Sequence, residues 1–246
     1  LHLGCSWSQI SNWYREHSSP VIELQHLLHT QMGKPPNTYT LARGGTSIDM
    51  HVDLLLQGLN CQKLYPKKIQ FDGIIFQVTA GQRGYVRLDR NLQLRPDDFD
   101  KFVNNYDNIN YITQDWLGEN YCWHNPGSIG PFENTKLHSI TKKARKIATL
   151  KDTQTRTDYL GHILTAKKIM SASGIPFIIY AHHLDFQPWH DDHIRDLAYN
   201  ELDFVVSEHV NLKKYSVDPG FHFNKIGNAK VAEKLLLPLV LKRFTS

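Results

Sequence analysis

Two apolar runs, Gly73-Ile74-Ile75-Phe76-Gln77-Val78 and Phe177-Ile178-Ile179-Tyr180-Ala181, constrain this chain more than any other feature. Neighbouring residues on a strand point to opposite faces, so a run that is apolar at nearly every position needs cover on both sides. Helices packed on both faces of a parallel sheet supply that cover. The remaining sequence has the alternation such a sheet requires. Leu1-His2-Leu3-Gly4 reads as a first strand, Thr38 to Ala42 as another, and Asp203-Phe204-Val205-Val206 as a short fifth.

Helical patterns fill the intervals. A stretch around Gln9 to Arg15 leads to Ser18-Ser19-Pro20, where a Ser cap and a Pro suited to the first helical position open a helix through Val21, Leu24, Leu27 and Leu28. Gly33-Lys34-Pro35-Pro36 ends it. Ser47 to Leu59 follows the Gly44-Gly45 turn, with Ile48, Val52, Leu55 and Leu56 on one side. Further helical signals run from about Lys136 to Ser173, from Ile194 to Asn200, and from the capping Asn224 through Val231, Leu235, Leu236 and Leu239, with Pro238 expected to kink or loosen the last turns. Gln82 to about Thr135 is Asn-, Asp-, Gly- and aromatic-rich. It is expected as an irregular insertion over the site, with at most short helices near Asp97 to Tyr106 and Ile109 to Leu117. These patterns predict one α/β domain over 1–246, a flavodoxin-like doubly wound parallel sheet of about five strands with helices on both faces.

Charge and composition narrow the function classes. Of the 246 residues, 28 are Lys or Arg and 24 are Asp or Glu, a mild net charge of +4. The densest basic run, Lys142-Lys143-Ala144-Arg145-Lys146, reads as a solvated helix face, so no nucleic-acid partner is expected. No apolar run approaches the ~20 residues of a membrane helix. Cys5, Cys61 and Cys122 lack a C-x-x-C spacing, which argues against a disulfide framework or zinc ribbon and fits a reducing compartment. The first strand reads as clipped, with residues expected upstream of Leu1, and no signal-like stretch is seen there.

Open parallel sheets place their sites outside the carboxyl ends of the strands. Ser6 follows the first strand in Gly4-Cys5-Ser6-Trp7-Ser8, and Asp218-Pro219-Gly220-Phe221-His222 precedes the last helix. A serine hydroxyl is a weak nucleophile until an imidazole removes its proton and an acid orients that imidazole, and Ser6, His222 and Asp218 match these roles. Taken alone, Ser6 also reads as a helix cap, with Ser8 competing for that position.

These blocks resemble the SGNH (GDSL-like) hydrolases, whose nucleophile lies in an N-terminal Gly-Asp-Ser block and whose Asp-x-x-His block precedes the last helix. Gly4-Cys5-Ser6 looks like the first block with Cys5 in place of Asp, Ala42-Arg43-Gly44-Gly45-Thr46-Ser47 like the second, and His222 to Ala232 like the C-terminal stretch. The resemblance covers the sheet-forming ends of the chain well and the middle poorly. It implies an acyl-enzyme esterase needing no cofactor, with the backbone N–H groups of Ser6 and Gly45 binding the oxyanion. At the family's third block, where an Asn donates to the oxyanion, Thr79-Ala80-Gly81-Gln82-Arg83 has Gly81 instead, so Thr79, Gln82 or Arg83 is expected to substitute. Asp218 stands four residues before His222, one more than the family spacing. The Gly-Cys-Ser-Trp form is similar to phage and viral members, which leaves a virion component open as a location. The expected substrate is a small-molecule or carbohydrate ester, with Arg83, His183 and Trp123 expected to contact it.

Two other readings stay open. One is a catalytically degenerate binding or structural module of the same fold. The other is metal-dependent hydrolysis by the His/Asp-rich stretch His182 to His193, which has the right residue types but no recognised ligand spacing. Under the esterase reading no metal is expected, and this stretch forms a wall of the crevice.

Overall fold

A computed structural model describes residues 1–4, 18–33, 37–42, 46–78, 84–87, 91–100, 103–106, 109–111, 116–117, 120–124, 159–183, 192–217 and 222–245. The expected helix at Gln9 to Arg15, the basic run at Lys142 to Lys146 and the first part of the long helical signal lie outside them.

Strand β1 (His2–Gly4) leads to helix α1 (Pro20–Met32), capped by Ser19, whose Oγ accepts from the N–H of Ile22. Gly33 ends α1 at φ 77°, a left-handed conformation that glycine adopts at little cost. Strand β2 (Thr38–Ala42) follows, then α2 (Ile48–Leu64) capped by Ser47, and β3 (Ile74–Val78). The next segment holds β4 (Gly84–Arg87), α3 (Pro96–Asp100), β5 (Val103–Tyr106), β6 (Ile109–Tyr111) and β7 (Tyr121–His124). Helix α4 (Tyr159–Ser173), β8 (Phe177–Ala181), α5 (Asp192–Asn200) and β9 (Phe204–Val205) complete the sheet. Two short helices, α6 (Val206–His209) and α7 (Leu212–Tyr215), precede α8 (Lys225–Val231), a π-helical turn (Ala232–Leu236) and α9 (Leu237–Phe244).

Among the described residues the main sheet has seven strands in the order β5-β6-β2-β1-β3-β8-β9. All neighbours are parallel except β5 with β6. The stretch β2-β1-β3-β8-β9 is the flavodoxin-like order. From β1 the chain moves one way to β2, then back past β1 to β3. Right-handed crossovers therefore put α1 and α2 on opposite faces.

The two cores follow from that winding. On one face Leu3, Leu41, Ile74, Phe76, Val78, Ile179 and Ala181 pack with α2, α4 and α5. On the other, Ile75, Ile178 and Tyr180 pack with Leu24 and Leu28 of α1 and with Val231, Leu236 and Val240 of the C-terminal helix. Alternate residues of β3 and β8 thus enter different cores, which is why both runs are apolar at nearly every position. Each fully buried side chain of this size contributes about 1.5–3 kcal/mol.

The expectations for the middle segment are corrected in part. The segment expected as irregular contributes strands, and of the short helices expected, at most, near Asp97 to Tyr106 and Ile109 to Leu117, the short α3 is present at Pro96–Asp100 while β5 and β6 occupy Val103–Tyr106 and Ile109–Tyr111. β6 joins β2 with Thr38 opposite Ile109, and β5 forms the outer edge. Strands of three or four residues are too short to display a period, and an edge position does not demand the apolar run of a central strand.

The expected disturbance at Pro238 takes the form of the π turn. The N–H of Leu237 donates to the carbonyl of Ala232, five residues back. A proline ring clashes with the carbonyl four residues before it, and the widened turn relieves that contact.

Candidate functional site

The strand-order reversal at β1 makes the carboxyl edge of β1 and β3 the place where a crevice opens. Leu3 pairs with Phe76 and Phe76 with Ile179, so the ends of β1, β3 and β8 lie side by side. Beyond Gly4 the chain leads to Ser6, and beyond Val78 to Thr79, Gln82 and Arg83. Those four residues, with Gly45 and Asp218, lie outside the described residues.

His222 is described, and its surroundings are closely built. The N–H of Val217 donates to the His222 carbonyl at 2.8 Å, and the N–H of Asn224 donates to the Tyr215 carbonyl at 2.8 Å. Ser216 and Phe223 form an antiparallel bridge between them. The Asn224 side chain accepts from the N–H of Gly227 at 2.9 Å, capping α8 directly behind the histidine. Gly227 is required by close approach. A Cβ there would meet the Tyr215 Cβ at 2.8 Å and the Phe223 Cβ at 2.9 Å.

The half-buried His222 belongs to the carboxyl edge because its neighbour reaches β8. The Phe223 ring centre is 4.7 Å from that of His182, the first residue after β8. His182 is 2% exposed, and its carbonyl accepts from the N–H of Ser207 at 3.0 Å. His183, expected against substrate, is buried, its ring edge-on to His182 at 5.8 Å. Among the described residues no group of His, Cys, Asp or Glu has the arrangement to hold a metal ion; positions 184–191 of the His/Asp-rich stretch lie outside them.

A buried polar joint ties the start of α1 to the His222 turn. Asn228 Nδ2 donates to Ser18 Oγ at 3.2 Å and to the Phe223 carbonyl at 3.4 Å, while Ser18 Oγ donates to Glu23 Oε1 at 2.8 Å. Ser18 is where the chain coming from Ser6 enters α1. The joint is invisible to sequence patterns, since it spans 210 positions and Asn228 reads as an ordinary helix residue. A second joint supports the loop before α2, with Thr46 Oγ1 and His51 Nε2 at 2.8 Å, both residues fully buried. Thr46 immediately follows Gly45, so His51 holds the end of that turn.

The antiparallel β4–β7 ribbon is anchored near the same edge. Arg87 pairs with Asp53 of α2 at 3.3 Å, and the Tyr121 hydroxyl donates to the other Asp53 oxygen at 2.9 Å. Burial first, and then the Asp53 carboxylate, push the Tyr85 and Tyr121 phenols above their ordinary range, so both stay protonated. Trp123 lies on β7, opposite Tyr85 on β4. Cys61 is buried on α2, its thiol pushed up to about 11 by burial and by Asp98, which leaves it unreactive.

A cleft at the opposite, amino edge is lined by Lys167, Phe177, Glu201, Asp203 and Arg243 among others. Four of its charged side chains are already paired. Lys167 pairs with Glu201 at 2.8 Å, and Arg243 pairs with Asp203 and donates to the Phe177 carbonyl. It is a structural seam, where the last helix is fastened to β8.

No protein-family model matches the sequence, and no curated protein matches it. No helix among the described residues is long and apolar enough to cross a membrane.

Proposed function

We infer that this chain is a serine esterase of SGNH type that hydrolyses an ester, an acyl group on a carbohydrate being the favoured form. The observation that carries the reading is the built turn at His222, held at the carboxyl edge beside β8 and joined through Asn228 and Ser18 to the segment that bears Ser6.

In the proposed reaction His222 takes the Ser6 proton as Oγ attacks the ester carbonyl carbon. The backbone N–H groups of Ser6 and Gly45, with Thr79 or Gln82, stabilise the oxyanion. Collapse of the tetrahedral species breaks the bond to the alcohol oxygen, which takes the proton from His222 and leaves. Water, deprotonated by His222, then attacks the acyl-enzyme, releasing the carboxylic acid and restoring Ser6. Asp218 orients the imidazole and stabilises its cation. Arg83, His183 and Trp123 are proposed to border the substrate. This chemistry draws on neither metal nor cofactor.

A fluorophosphonate probe tests the reading. The expected outcome is one adduct on Ser6, found by peptide mass spectrometry and absent from Ser6→Ala. His222→Ala should slow labelling by about 10³-fold or more. A folded protein that takes no label has lost the activity. Gly81 in place of an oxyanion-binding Asn would then favour the degenerate binding module.

A further inference from the structure

We propose that the substrate is anionic, an ester on an acidic oligosaccharide, recognised by the lysines that flank Tyr215 beside His222. The proposal rests on the esterase reading and names the substrate class of that same site.

Lys213 and Lys214 are exposed on α7, Lys225 is exposed at the start of α8, and Lys230 is half-buried on its last turn. The Lys214 and Lys230 Nζ atoms lie 5.4 and 5.6 Å from the centre of the same Tyr215 ring. The Tyr215 backbone is tied to the turn that carries the histidine, because its carbonyl accepts from the Asn224 N–H and its Cβ rests against Gly227.

Four cations elsewhere are already engaged. Arg87, Lys167, Arg195 and Arg243 each have a carboxylate partner. Among the described residues no carboxylate reaches ion-pair distance of Lys213, Lys214 or Lys230. Both ammonium groups are held near the same ring, and an anion bound beside either gains from the positive charge gathered on these two helices. A positive rim around a reacting group raises the local concentration of anionic substrate and speeds its capture. The modest net charge of +4 suits a short acidic segment better than a long phosphate backbone.

Acetate release from O-acetylated oligogalacturonate and from neutral O-acetylated xylo-oligosaccharide decides the matter. The wild-type protein should favour the acidic substrate by about tenfold in kcat/KM at low salt, chiefly through KM. The preference should shrink toward one at about 0.5 M NaCl. Lys214→Gln/Lys230→Gln should remove most of it, and Lys214→Glu/Lys230→Glu should invert it. Equal rates on the two substrates, or a preference unchanged in both double variants, overturn the proposal and leave the esterase reading intact. Binding of a DNA oligonucleotide with no preference between the oligosaccharides assigns the lysines to nucleic acid and also overturns it. If neither substrate is cleaved and Ser6 takes no label, the esterase reading fails and this proposal fails with it.

Discussion

His2 is the side chain whose chemistry conflicts most with its position. It lies on the central strand, fully buried, opposite Thr40 of β2, and neither its ring nitrogens nor the Thr40 hydroxyl makes a hydrogen bond. Burial, the largest influence, lowers its pKa from 6.5 to about 3, so the imidazole is neutral in the fold. The unfolded chain takes up a proton below pH 6.5 and the native chain does not until about pH 3. Stability present above pH 6.5 is therefore lost progressively as the pH falls, at up to about 1.4 kcal/mol per pH unit. His2→Leu should abolish that loss. Between pH 7.5 and 5, urea unfolding should show wild type losing about 2 kcal/mol more than the variant, and equal losses would refute the account. Leu1-His2-Leu3-Gly4 was legible as a strand, but a polar residue at the second position reads equally well as a solvent-facing one. Only the helices on both faces make it a buried base.

At the scale of elements, the clearest case is the β4–β7 ribbon, which among the described residues has no partner strand in the main sheet and is anchored by Asp53. One carboxylate serves both Arg87 and Tyr121. Asp53→Ala leaves a buried phenol unsatisfied and should cost about 1–3 kcal/mol. Limited proteolysis should show new cleavage in or beside the ribbon before the sheet is attacked; cleavage unchanged from wild type would mean the ribbon is held by other contacts. The capped helices and the long apolar strands were readable because each repeats a local signal: Ser19 with Pro20, Ser47 before Ile48, Gly33 after Met32. The ribbon was not, since Asp53 and Tyr121 are 68 positions apart and neither is unusual in its own surroundings. The His222 turn lies between these cases. The histidine block was visible in the sequence, whereas the Ser216 bridge, the contact of Gly227 with Tyr215 and the flanking lysines exist only once α7 and α8 meet.

Across the whole molecule, Asn228 joins the two ends of the proposed site. Asn228→Ala deprives Ser18 and the Phe223 carbonyl of a buried donor, and a loss of about 1–3 kcal/mol is expected in urea unfolding. Labelling at Ser6 should slow as well, since the His222 turn loses its tie to α1. A variant as stable and as readily labelled as wild type would show that the joint is incidental. The strand order has a further consequence, which concerns time. Residues 2–4 form the middle of the sheet, yet both strands that flank them are made later, and the helix that covers one of its faces follows every described strand. A nascent chain therefore holds its central strand without both neighbours until residues 74–78 have been made, and the cover on that face of the sheet stays incomplete until residues 225–244 follow. The Ser18–Asn228 joint cannot close until the 210 positions between its partners have been translated, so the His222 turn gains its tie to α1 only after that point.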